Sequence, residues 1–80
     1  MSGRHPPLTC AEVKLALKVL GFTARPGRGG SHEHWVKDTP DGRRKVTVDC
    51  PKAPFSQTLI DSMRRQAGVT KAEFYRACGR

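Results

Sequence analysis

Two Thr-x-x-Glu tetrads, Thr9-Cys10-Ala11-Glu12 and Thr70-Lys71-Ala72-Glu73, do most to restrict what this chain can become. In each, the Thr hydroxyl can accept from the amide three residues on, while the Glu reaches back to the Thr amide, so each tetrad opens a helix. After the first, Val13, Ala16, Leu17 and Leu20 recur at helical spacing and predict a buried stripe, with Lys14 and Lys18 on the solvent side. Gly21 suits the left-handed position at the helix end, with Phe22 folding back onto it. The second tetrad opens a short last helix through Cys78, whose expected contacts are Phe74 and Ala77. A further helix is predicted from about Ser56 to Ala67, with Leu59, Ile60, Met63 and Ala67 as its apolar stripe and Gly68 as its stop.

Between the first two helices the composition favours strands. Phe22–Arg25 suits one short strand, and Ser31–Lys37, with Trp35 and Val36, suits a second. Asp38-Thr39-Pro40-Asp41-Gly42 is dense in turn residues and predicts a hairpin into a third strand, Arg43–Asp49. There Val46 and Val48 point to one side, and Lys45 and Thr47 to the other. Cys50–Pro54 reads as a stiff connector. The expected order is helix, three antiparallel strands, helix, short helix: an α+β fold with both long helices on one face of the sheet and the other face wet.

At 80 residues the chain makes one small domain. Pro6-Pro7 stops helical order from spreading backwards. Residues 1–8 are therefore expected to be a flexible tail, with His5 solvated, and residues 9–80 the folded domain. The first residues hold no apolar segment of a secretory signal. No run of about 18 apolar residues exists, so no membrane partner is expected. Cys10, Cys50 and Cys78 show neither metal-knuckle nor redox spacing. They read as reduced, cytosolic thiols that fill small spaces.

Fifteen Lys and Arg against seven Asp and Glu give a net charge of +8. Charge of that size favours a polyanionic or acidic partner. Much of it clusters around the loop Arg25-Pro26-Gly27-Arg28-Gly29-Gly30 and the turn that follows. Glycines let a ligand approach the main chain, and the flanking arginines suit an anion. The loop leads into Ser31-His32, and His both takes and gives a proton near neutral pH. This is what phosphodiester hydrolysis needs, and equally what a plain RNA-binding loop looks like. Arg25, Arg28, Arg43, Arg44 and Lys45, with the amides of Gly29, Gly30 and Ser31, are candidate phosphate ligands. The same cations are expected to lower the pKa of His32 and keep it neutral.

His34 projects from the same strand face as His32, about 6.6 Å along the chain, and is a candidate second acid or base. A pairing role on the wet face is its alternative. Trp35 points the other way and reads as core. A metal site from His32, His34 and Asp49 or Cys50 lacks a compelling third ligand among so many arginines. No metal or other cofactor is expected.

Taken in order, Gly30-Ser31-His32, Trp35, Val46-Thr47-Val48, Thr58-Leu59 and Arg65-Gln66-Ala67-Gly68 resemble the HicA toxins over about residues 9–75. The resemblance implies an α-β-β-β-α fold like that of double-stranded-RNA-binding domains, with a short extra C-terminal helix. It implies a cytoplasmic endoribonuclease that cleaves mRNA, belongs to a type II toxin-antitoxin system and is neutralised by a HicB-type antitoxin. His32 takes the family's catalytic position. The chain departs from the pattern at Asp49-Cys50-Pro51, where relatives often carry Pro-x-His, and at Gln57, where many carry Gly. The alternative function is a module of the same fold that binds RNA without cutting it.

Overall fold

The structure is a computed structural model that describes residues 6–25 and 32–79. It is an α+β fold in the order α1 (Cys10–Val19), β1 (Thr23–Arg25), β2 (His32–Thr39), β3 (Gly42–Asp49), a 3-10 turn (Cys50–Lys52), α2 (Gln57–Ala67) and α3 (Lys71–Ala77). The strands form one antiparallel sheet in the order β1-β2-β3. This is the expected α-β-β-β-α arrangement, with a short third helix.

Local chemistry sets the helix limits. Thr9 and Thr70 each accept from the amide of the Glu three residues on, and both Glu side chains reach back to close a capping box. The amide of Phe22 donates to Leu17 O at 2.8 Å and that of Gly21 to Lys18 O at 3.0 Å, the paired bonds of a left-handed stop. Gly68 ends α2 in the same way at φ 77°, a conformation costly for a residue with a Cβ. The Arg44 guanidinium also lies where a Cβ on Gly68 would go, 2.6 Å from Cζ.

The hairpin is tighter than the dense turn composition implies. β2 runs on to Thr39, which pairs with Gly42, so Pro40 and Asp41 alone make the loop. An ion pair between Asp38 and Arg43 at 2.8 Å supports the ladder next to it. The register then follows down both strands: Trp35 opposite Val46, His34 opposite Thr47, His32 opposite Asp49.

Trp35, Val46 and Val48 are buried under the helices, as their strand parity predicts. They meet Val13, Ala16 and Leu17 of α1, Ile60, Met63 and Ala67 of α2, and Phe74 of α3. Leu20 and Leu59, read as core from their periodicity, are only partly buried at the edge of this cluster.

Two expectations are corrected. The folded domain begins before residue 9. Leu8 is fully buried, its carbonyl accepts from the Phe55 amide at 2.8 Å, and the Tyr75 hydroxyl donates to Pro6 O at 2.6 Å. Apolar burial and main-chain pairing hold 6–8 in place although no helix includes them; residues 1–5, and His5 with them, lie outside the described residues. The cysteines are also not three separate fillers. Cys10 and Cys50 form a disulfide that ties the first turn of α1 to the end of β3, with Cα atoms 5.3 Å apart, while the buried Cys78 thiol donates to Tyr75 O at 3.1 Å. Antiparallel folding brings together two thiols far apart in the chain.

Among the described residues, no helix is long and apolar enough to cross a membrane.

Candidate functional site

His32 is the first described residue of β2 and Asp49 the last of β3. Ladder register places them side by side, and His32 Nε2 lies 3.3 Å from Asp49 Oδ2. The imidazole is open to solvent at 59% side-chain exposure, while the carboxylate behind it is largely covered at 19%. A carboxylate that accepts from one ring nitrogen leaves the other as the acceptor of a neutral imidazole. Asp49 Oδ1 is buried and has no hydrogen-bond partner among the described residues.

The pair stands at the mouth of a cleft of about 160 Å³ at the outer edge of β3. α2 covers that edge, and Gln66 Oε1 accepts the otherwise unpaired amide of Thr47 at 3.2 Å. Phe55, Leu59 and Met63 supply the apolar wall of the cleft, and Lys52, Ser62 and Gln66 line it with the His–Asp pair. A polar rim over an apolar wall suits a ligand with both a charged group and a flat ring.

His34 is engaged elsewhere. Its Nδ1 lies 3.2 Å from Thr47 Oγ1 across the ladder, and its ring is partly buried on the sheet face. This is the pairing role weighed from the sequence; His34 does not line the His32 cleft.

Among the described candidate phosphate ligands, Arg43, Arg44 and Lys45 do not gather at His32. Arg43 sits at the hairpin end, held by Asp38, and at strand rise lies about 20 Å along β3 from Asp49. That contact holds the Asp38 carboxyl below its ordinary value and raises the Arg43 guanidinium. Lys45 is exposed on the wet face, about 13 Å along the strand from Asp49. Arg44 faces the helices and lies over Gly68. Arg25 is exposed and pairs with His34, so of these cations it lies nearest in register. Arg28, Gly29, Gly30 and Ser31 lie outside the described residues. Among the described residues, the charged group touching His32 is a carboxylate, not one of the expected cations.

The two charged neighbours of His32 in the cleft differ from the candidates of the sequence, where Asp49 stands only as a metal ligand and Lys52 only within the connector. Reading Pro40-Asp41 as a two-residue turn would have found Asp49, because that turn alone sets the register opposite His32. No sequence signal points to Lys52, which reaches the cleft through the 3-10 turn. Among the described residues, no three His, Cys, Asp or Glu side chains are grouped to hold a metal ion.

No protein-family model, curated protein or solved structure matches the chain.

Proposed function

We propose that this protein is a metal-independent endoribonuclease, the toxin of a type II toxin-antitoxin pair, that cleaves mRNA in the cytoplasm with His32 as its base. The observation that carries the reading is the exposed His32 ring backed by Asp49 on the rim of a cleft that also holds Lys52. His32 accepts the proton of a ribose 2′-hydroxyl. The 2′-oxygen then bonds to the adjacent phosphorus as the bond from phosphorus to the 5′-oxygen breaks, leaving a 2′,3′-cyclic phosphate and a free 5′-hydroxyl. Asp49 orients the ring and stabilises the imidazolium that forms, as a carboxylate does behind a catalytic histidine in other hydrolases. Lys52 offsets the charge that builds on the phosphoryl oxygens. The imidazolium and Lys52 are the acids of the cleft for the departing 5′-oxygen. A HicB-type antitoxin is the proposed acidic cover of this basic protein.

The second reading, an RNA-binding module that does not cut, is favoured by one observation: His34 is taken by Thr47, so among the described residues no second imidazole faces the cleft. Induced expression of wild type and His32→Ala, with mRNA integrity followed over time, decides between them. Fragmentation by wild type alone supports cleavage. Intact mRNA with both, each folded and each binding RNA, supports the module and ends the nuclease reading.

A further inference from the structure

Beside the His32 cleft lies a second, wider one of about 620 Å³ on the exposed face of α2. Ser62 and Gln66 line both, so the two join at that point. Beyond them the wider cleft is lined by Thr58 and Arg65 of α2 and by Lys71 at the start of α3. Thr58, Ser62 and Arg65 fall on one helical stripe, and Thr58 to Arg65 extends about 10 Å along the axis.

The charge of this stripe suits a polyanion. Its carboxylate, Asp61, already has two arginine partners, Arg64 at 2.8 Å and Arg65 at 3.0 Å. The Arg64 hydrogen bond holds that carboxyl below its ordinary value. Arg65 remains 70% exposed despite its ion pair, and Lys71 Nζ donates to Gln57 Oε1 at 3.1 Å across the cleft. Among the described residues, no aromatic side chain lines this wider cleft, so it offers no platform for stacking a base. Hydroxyls, an amide and cations without aromatics hold a sugar-phosphate backbone and do not read sequence.

We infer that the RNA strand flanking the scissile phosphate leaves the His32 cleft between Ser62 and Gln66 and runs along α2, where Arg65 and Lys71 hold its backbone phosphates. The inference rests on the proposed function for its ligand and adds the path of that ligand. The narrow inner cleft commits the path to a single strand. It also explains how a site from which Arg43 and Lys45 lie far along β3 can grip a polyanion.

The test uses 2′-O-methyl oligouridylates, in which the attacking hydroxyl is blocked, with binding followed by fluorescence anisotropy across a salt series. Each phosphate contact on a single strand contributes about 0.7 to the slope of log affinity against log salt, so Arg65→Gln/Lys71→Gln should flatten the slope by about 1.4. A fourfold rise in salt should then cost the double variant about sevenfold less affinity than it costs wild type. Each single substitution should give part of this change. Lys18→Gln/Arg76→Gln removes equal charge from α1 and α3 and should leave the slope as in wild type. If wild type binds a dodecamer and Arg65→Gln/Lys71→Gln binds it with the same slope, the path is wrong while the function stands. If Arg43→Gln/Lys45→Gln flattens the slope instead, the strand crosses the sheet face and the path is likewise wrong. If wild type binds no RNA, both the path and the proposed function fail.

Discussion

Leu8→Ala tests whether the chain before the first helix belongs to the fold. Leu8 is fully buried, packed in the core with its carbonyl bound to Phe55. Truncation removes its transfer free energy and leaves a void that a β-bridge on one side and helices on the other can only partly close. Such changes cost about 3–5 kcal/mol in a well-packed core. Small domains have about 5–15 kcal/mol in all, and one of this length sits toward the lower end. At about 4–8 °C per kcal/mol for a domain of this size, even the smaller loss lowers Tm by about 12–24 °C. Leu15→Ala is the control: Leu15 is 48% exposed on the outer side of α1, and its truncation should cost within about 0.5 kcal/mol. Thermal and urea unfolding followed by circular dichroism, with the disulfide kept oxidised in every sample, measures both. If Leu8→Ala melts with Leu15→Ala, the residue is not packed, and the flexible tail expected from Pro6-Pro7 is right after all.

Three further outcomes are expected. Asp49→Asn keeps a hydrogen-bonding side chain beside His32 but drops its charge; RNA cleavage should fall by about ten- to hundredfold, part of the ~10²–10⁴ that a positioned acid–base group supplies, while RNA affinity holds. Equal cleavage by wild type and variant removes Asp49 from the site. The Cys10–Cys50 bond spans a sequence separation of 40, and loop-closure entropy assigns it about 4 kcal/mol, so melts with and without reductant should differ by that order. Cytoplasmic thiols are kept reduced, so it is the melt in reductant that must lie above working temperature for the proposed function. Stability should also depend on pH through three carboxyls held below their ordinary values: Asp38 by Arg43, Asp61 by Arg64, and Glu73 by the Thr70 amide. A depressed folded-state value means stability that is present above the unfolded value and lost as pH falls through the folded one. Urea midpoints should therefore stay level down to about pH 5 and drop below about pH 4, with a smaller drop in Glu73→Gln. Midpoints that rise on acidification contradict these pairs.

Sequence by itself determined what depends on near neighbours. Both capping boxes lie within four residues, so the starts of α1 and α3 were legible; Gly21 and Gly68 marked the helix ends because only a residue without a Cβ suits that backbone. Strand alternation put Val46 and Val48 on the buried face and Trp35 opposite the histidines, since side chains in a strand must alternate. His32 was legible as an exposed residue at a strand start. Only the tertiary structure decided what partners it. The Pro40-Asp41 turn sets the ladder register that delivers Asp49 to its ring, and the 3-10 turn carries Lys52 to the same cleft. The same register takes Arg43 and Lys45 away toward the hairpin and gives His34 to Thr47. Leu8 and the Cys10–Cys50 bond likewise depend on segments distant in the chain meeting across the core, and no local pattern encodes that meeting.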